Sequence, residues 1–539
     1  MEKKKNSLMV QGSILAAAGL LTKIIGFIYR IPMANLLGEQ GNGVYSVSFG
    51  IYNVALTLSS YSLPLAVSKL VSQRLAKDEE KNSFTLFKRA LLFSLIAGLS
   101  AFLVLFLGAE WLEALYSRTG LQYPLRVLAP TAFTVALLGV FRGYFQGHSN
   151  MVPTALSQIV EQIINAVVSI LGTYFFMKAY VSDPNVSAHG AAGATLGTLA
   201  GAFGALVMLA LLFMTRLKHI KAKMGEGSDF VESPRVSYKD IVLTMFPIIL
   251  TQSIYQIGFT VDDLIFGNVM SQRGFSDEVV GSLQGVFNTQ YTQLINLPIA
   301  VATALAASAL PSIMSLFTQK KDSEKNAKIH GVIKLTSAVA FPSAVGLTVL
   351  ARPIITCLFP TLITYRETAI NLLVFGSCAC IFYSLSTITA SVLQGNDRMR
   401  IPVKNSFISF ALHVIIVFVL LKFTNLSIYA LLIGDITFPL VIALLNVMSL
   451  KKVGYRQEIK KTFLLPLLIS VIMGVCVVVI NLVTYKLLES HVISLGISLI
   501  VAIMIYGVLT LKFKVFSDEE LTDLPFGSKI LALSKRITK

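Results

Sequence analysis

The chain reads as an all-α polytopic membrane protein of about fourteen transmembrane helices, two pseudo-symmetric six-helix lobes plus two C-terminal helices. Three observations predict this: an apolar composition, a succession of long hydrophobic stretches and a duplicated set of motifs. Of the 539 residues 55% are hydrophobic and 14% charged, against about 25% charged in soluble domains, and the mean hydropathy is +0.73. That balance excludes a soluble globular domain.

Crossing a hydrocarbon core of about 30 Å takes about 20 apolar residues. Stretches of that kind fall at 9–36, 43–71, 90–109, 122–144, 153–177, 189–215, 241–268, 279–314, 331–356, 367–394, 402–421, 425–450, 462–485 and 490–511. The first follows Lys3 to Lys5, but it contains Lys23 and Arg30 and no clear small-residue cleavage site, so it reads as a retained helix rather than a signal peptide.

Gly50-Ile51-Tyr52-Asn53 followed by Leu63-Pro64-Leu65-Ala66-Val67 returns about 235 residues later as Gly285-Val286-Phe287-Asn288 followed by Leu297-Pro298-Ile299-Ala300-Val301. Phe145-Gln146-Gly147 with Pro153 likewise returns as Leu393-Gln394-Gly395 with Pro402. Motifs recurring in one order mark an internal repeat, which in membrane bundles is a signature of secondary transporters. Six spans per repeat is an even number, so both copies enter from the same side. The predicted organisation is a first lobe over 1–217, a charged linker over 218–235, a second lobe over 236–450, the last two spans within 451–514 and a tail over 515–539.

Lys and Arg concentrate in the tails and in the loops on the N-terminal side, at 74–89, 216–239, 320–334, 398–404 and 451–461, which places both termini in the cytoplasm. The net charge of +17 is then a topology signal with attraction to anionic lipid, and no nucleic-acid module is present. Cys357, Cys378, Cys380 and Cys476 lie in or beside spans and read as packed thiols. In span six, Gly190, Gly193, Gly197, Gly201 and Gly204 recur at helical spacing, a surface for close helix packing.

Ionisable groups inside spans cost about 2.5–3.5 kcal/mol each on insertion scales and are usually functional. Lys23 and Arg30 stand seven residues apart on one helical face, either lining a cavity or snorkelling to opposite headgroups. Gln158, Glu161, Gln162 and Asn165 form a polar stripe at i, i+3, i+4 and i+7, fitting a cavity wall or an interhelical hydrogen-bond network. Span seven carries Gln252, Gln256, Asp262 and Asp263, span eight Gln284, Asn288, Thr292 and Asn296, and the later spans Asn405 and Asp435. Carboxylates with amide oxygens suit sodium or a proton relay.

Lys23-Ile24-Ile25-Gly26-Phe27-Ile28-Tyr29-Arg30-Ile31-Pro32, Gly43-Val44-Tyr45-Ser46, Leu63-Pro64 and Ala66-Val67-Ser68-Lys69-Leu70-Val71-Ser72 resemble the opening of Gram-positive MurJ-type lipid II flippases. These are stage V sporulation protein B-like polysaccharide transporters of the MOP (MATE-like) superfamily. The resemblance spans essentially the whole chain. It implies a flippase, not an enzyme, that carries an undecaprenyl-diphosphate-linked saccharide, in first place lipid II, the peptidoglycan precursor, to the outer leaflet of the bacterial cytoplasmic membrane by alternating access through a basic cavity. It also implies cell-wall synthesis machinery as a partner.

On this pattern Lys23 and Arg30 match the diphosphate-binding cations, Arg30 displaced by one position, and Tyr52, Asn53, Gln158, Glu161, Gln162, Asn165, Gln256 and Asn288 line the cavity. Asp262, Asp263 and Asn405 correspond to a sodium site, in which Ser409 replaces a further carboxylate. The family's charged pair in span two has no counterpart around Gly43 and Ser60, and Asn288 or Gln290 stands in place of the span-eight arginine. The last two spans would form a groove for the prenyl tail. No cofactor is implied; sodium, protons or the membrane potential would drive transport. The alternatives are another lipid-linked unit (teichoic, capsular or spore-cortex), a MATE-type cation-coupled multidrug exporter, and a membrane glycan polymerase or ligase; short outer loops without paired carboxylates speak against the last.

Overall fold

The structure, a computed structural model, describes residues 2–226, 228–452, 454–522 and 527–537; among them every regular element is helical. The chain divides into two compact units, Met1–Gly285 and Val286–Lys539. The first contains α1 (Glu2–Ser59), α2 (Leu63–Leu75), α3 (Glu80–Leu107), α4 (Ala109–Leu115), α5 (Gln122–Gly147), α6 (Val152–Ala179), α7 (Val186–Glu226), α8 (Pro234–Gln272) and α9 (Asp277–Gly285). The second begins with a π-helical turn, Val286–Tyr291. It continues through α10 (Thr292–Thr318), α11 (Asp322–Val349), α12 (Ala351–Leu358), α13 (Arg366–Gly376), α14 (Ala379–Gly395), α15 (Arg400–Phe423) and α16 (Ile428–Lys452). A second π turn, Lys460–Leu464, leads to α17 (Leu465–Leu488), α18 (His491–Lys512), α19 (Asp518–Thr522) and α20 (Gly527–Ile537).

Eleven described helical stretches are long and apolar enough to cross a membrane, and α13 with α14, bent by 45°, make a twelfth. Ala17–Leu75 is one of the eleven, yet it holds two expected spans separated at Gly38, whose φ of 69° only glycine adopts without strain. The 39-residue α8 supplies the remaining expected span. About fourteen crossings is therefore consistent with the helices.

Several boundaries move. No loop separates spans one and two; helix resumes directly after Gly38 and is interrupted instead at 60–62, just before the Leu63-Pro64 start of α2. Pro64 occupies the first turn, where its missing N–H leaves no bond unmade. Helix α7 continues to Glu226, so the first half of the expected 218–235 linker is helical; an uninterrupted run of good helix formers, Arg216 to Met224, carries it on.

The glycine stripe of α7 is what seats α6. A Cβ added at Gly193 would lie 2.3 Å from the Gly172 carbonyl oxygen, at Gly197 2.5 Å from that of Asn165, and at Gly201 2.5 Å from that of Glu161. Side chains there would force the helices apart, so backbone-to-backbone approach fixes which face of α6 turns to α7. In the second unit Gly395 backs onto Ile313 of α10, where a Cβ would sit 2.8 Å from a methyl group. The outward faces of α17 and α18 expose Leu468, Val475, Val479, Leu482, Ile500 and Ile503, as helices bathed in lipid do.

Candidate functional site

In the first unit α1, α5 and α6 bring together most of the expected polar residues. Arg30 is half-buried, lies against Tyr29 and Tyr45, and stacks with its guanidinium carbon 5.7 Å from the Phe49 ring centre. Its Nε is buried and makes no hydrogen bond, and among the described residues it has no carboxylate partner. Asn165 Nδ2 donates to the Tyr29 hydroxyl at 3.3 Å, and Asn165 Oδ1 accepts from Ser169 at 2.8 Å. Gly26 is where α1 lets Gln162 approach: a Cβ there would stand 3.2 Å from the Gln162 amide nitrogen. Tyr52 is buried and feels the Glu161 charge, Gln158 keeps a buried carbonyl oxygen without a partner, and Asn53 is half-buried. Lys23 is exposed on the same helix as Arg30, two turns away.

One member of this cluster escaped the sequence. Arg142 on α5 donates from Nη2 to Glu161 Oε2 at 2.6 Å and from Nε to Ser157 Oγ at 2.9 Å. It stands five residues from the end of α5. The available signal was its position between Gly139 and Gly143, on a helix whose glycines pack against α2, which turns an arginine inward. Glu161 is thus half of an ion pair rather than a lone carboxylate.

Asp262 and Asp263 are buried in the same unit; Gln284 Nε2 donates to the Asp263 carbonyl oxygen at 3.0 Å and reaches Oδ1 at 3.4 Å. Gln256 is half-buried, with its backbone carbonyl accepting from Thr260 at 3.1 Å, whereas the side chain of Gln252 lies outside the described residues. Asn405 belongs to the second unit, where it donates to Asn446 Oδ1 at 2.9 Å, and Asn446 in turn donates to Thr389 at 3.2 Å. Asn288 sits half-buried in the first π turn. Ser409 donates to the Phe438 carbonyl. Among the described residues no group of three or more His, Cys, Asp or Glu side chains could hold a metal ion. Asp435 is buried and accepts hydrogen bonds from the hydroxyls of Tyr291 and Tyr383, both at 2.8 Å.

A second buried cation lies in the loop between α4 and α5. Arg118 is fully buried and pairs with Asp277 at 2.5 Å, its guanidinium filling the space a Cβ at Gly281 would occupy. Burial holds it below its ordinary pKa against the opposing pull of Asp277. Ser117 and Thr119 extend the contact to Asn268 and Asp277, so this loop is strapped onto α8 and α9.

Residues 9–317 match the family described as polysaccharide biosynthesis protein. The chain is 25% identical over 492 residues to the lipid II flippase MurJ of Bacillus subtilis (strain 168), covering 88% of this chain and 89% of that one. With stage V sporulation protein B of the same organism it shares 24% over 520 residues, 96% of this chain and 98% of the relative. Among solved structures, the inward closed conformation of lipid II flippase MurJ superposes with a TM-score of 0.68 at 17% identity, covering 93% of this chain and 98% of that one. An inward-facing MATE multidrug resistance transporter of the MOP superfamily gives 0.67 at 16%, covering 80% and 94%. The chain belongs to the polysaccharide biosynthesis protein family and is a multi-pass membrane protein with the fold shared by MurJ and the MATE transporters of the MOP superfamily.

Proposed function

We propose that this protein is a flippase that carries an undecaprenyl-diphosphate-linked saccharide, lipid II in first place, from the inner to the outer leaflet of the cytoplasmic membrane, both termini facing the cytoplasm. The observation that carries the proposal is Arg30, a cation within a membrane span that no described carboxylate neutralises. Left alone it costs about 2.5–3.5 kcal/mol; a diphosphate supplies the missing charge and the acceptors its fork can bind. Lys23 on the same face extends the basic surface. In this reading 1–217 and 236–450 are lobes that rock about the cargo, and α17 and α18 guide the prenyl chain.

Energetics favour export, since an anion moving outward across an inside-negative membrane gains about 2.3 kcal/mol per charge per 100 mV. Coupling to sodium through Asp262 and Asp263 is a separate part of the proposal. The similarity to stage V sporulation protein B over nearly all of both chains supports a second reading, a different lipid-linked glycan on the same transport cycle.

The test is replacement of the sole lipid II flippase in a depletable cell, scoring outer-leaflet lipid II. Wild type should restore exposure, and Arg30→Ala at matched membrane level should lose it by at least about tenfold, the equivalent of one charge-assisted contact. A well-folded wild type that restores nothing moves the assignment to another glycan.

A further inference from the structure

Arg142 and Glu161 form an ion pair whose place in the molecule is odd for a structural one. Of the described arginine pairs buried in this unit it is the one whose cation, as well as its carboxylate, stays open: Arg118 and Arg74 keep 0% and 4% of their side-chain surface. Here the side chains keep 14% and 26% of their surface open, and Glu161 belongs to the polar stripe of α6 whose Asn165 donates to Tyr29, the neighbour of Arg30 in α1. Glu161 and Asn165 are one helical turn apart, a rise of about 6 Å. Arg142, paired with Glu161, and the Tyr29–Arg30 step of α1, reached from Asn165, therefore lie towards the two ends of a polar stripe that also carries Gln158 and Gln162.

We propose that Arg142 is a second cation for the diphosphate of the cargo and that the Glu161 carboxylate is its placeholder, occupying the phosphate's position on Arg142 while no cargo is bound. The inference rests on the proposed function and deepens it. A carboxylate oxygen and a phosphate oxygen present the same acceptor to a guanidinium, and Arg binds both in one fork geometry. Ser157, which accepts from Arg142 Nε and donates to the Thr154 carbonyl at 2.7 Å, holds the guanidinium in place whichever anion is bound. Glu161 thus neutralises one of these cations, whereas Arg30 has no carboxylate partner among the described residues. An arriving diphosphate engages Arg30 first and then competes with Glu161 for Arg142. A neutral amphiphile or an organic cation has nothing to offer Arg142 and leaves the pair closed, so the placeholder discriminates among cargoes as well as storing a cation inside the membrane.

The experiment uses the full chain in lipid nanodiscs, undecaprenyl diphosphate as probe and uncharged undecaprenol as control, with binding read by native mass spectrometry. Glu161→Gln removes the competitor and should tighten diphosphate binding about five- to tenfold, without changing undecaprenol. Arg142→Gln should weaken it about tenfold, Arg142→Lys less, as loss of one fork contact implies. The double variant should bind like Arg142→Gln, because the placeholder acts only through its partner. An unchanged affinity in Glu161→Gln, or a double variant as tight as Glu161→Gln alone, overturns the proposal. Should Arg142→Gln fail to fold, Glu161→Gln and Arg142→Lys decide it. A wild type that binds no undecaprenyl diphosphate overturns this proposal and the function together; weakening by Arg30→Gln with Glu161→Gln neutral overturns this proposal alone.

Discussion

The two halves of the repeat keep the same scaffold and different interiors. Phe145-Gln146-Gly147 closes α5 and Leu393-Gln394-Gly395 closes α14, and in each case the glycine lies against an aliphatic side chain of a neighbouring helix, Val71 of α2 or Ile313 of α10. The prolines that follow, Pro153 and Pro402, both sit in the first turn of the next helix. The first unit encloses the arginines Arg30, Arg142, Arg118 and Arg74, all half-buried or buried, together with the buried Asp262 and Asp263, whereas the second has Asp435 held by two phenols. Packing positions survive duplication because any added atom there collides. Charge positions drift, since each needs only a partner, and the partner can change. Of these four arginines, Arg30 is the one without a carboxylate partner among the described residues.

The largest effect should come from breaking the shared scaffold. Gly147→Leu and Gly395→Leu put a branched side chain where a Cβ alone lies 2.5 Å or 2.8 Å from a neighbour, and each should destabilise by about 3 kcal/mol, the upper range of overpacking. Thermal unfolding of detergent-solubilised protein would show both falling by similar amounts; loss in only one ends the equivalence of the two motifs. Next comes the acidic interior. Asp435→Asn keeps the shape but replaces two charge-assisted acceptors, which should cost about 2 kcal/mol in the same assay. A neutral result would mean that Asp435 is already protonated and the contrast in charge false.

The smallest effect is at the surface of the second unit, where Glu520 accepts from Lys334 at 2.8 Å. Burial alone would raise its pKa, yet the Lys334 ammonium and the Ser517 N–H outweigh it and hold it below the ordinary carboxylate value. A depressed carboxylate contributes stability that is present above its unfolded pKa, about 4.3, and disappears as pH falls through the folded value. Protease protection of the tail should therefore weaken below about pH 4 in wild type, whereas Glu520→Gln should be equally sensitive at pH 7 and pH 4.

Hydrophobic length alone revealed the spans, and the i, i+3, i+4, i+7 spacing of Gln158 to Asn165 revealed a stripe whose partners the structure supplies in Tyr29, Ser169 and Arg142. The same kind of periodicity exposed the glycines of α7 as a packing surface. Residues whose meaning depends on a distant segment stayed hidden. Arg142 is 19 positions from Glu161, and Arg118 is 159 from Asp277. One stands near the end of α5 and the other in the loop between α4 and α5, where burial gives no local signal. The break at 60–62 and the π turn at 286–291 were equally silent, because both sit inside apolar runs that periodicity reads as unbroken helix.

Lys334 has a further consequence for how the protein is made. Its side chain is only 5% exposed and its partner is 186 residues later, almost at the end of the chain. Translation therefore makes α11 with an ammonium whose counter-charge has not yet been synthesised, and α12 to α18 must all be made before Glu520 arrives. The second half of the molecule cannot reach its final electrostatic state while the ribosome is still elongating. A chain terminated just short of residue 520 would carry α1 to α18 and still leave the Lys334 ammonium without its partner.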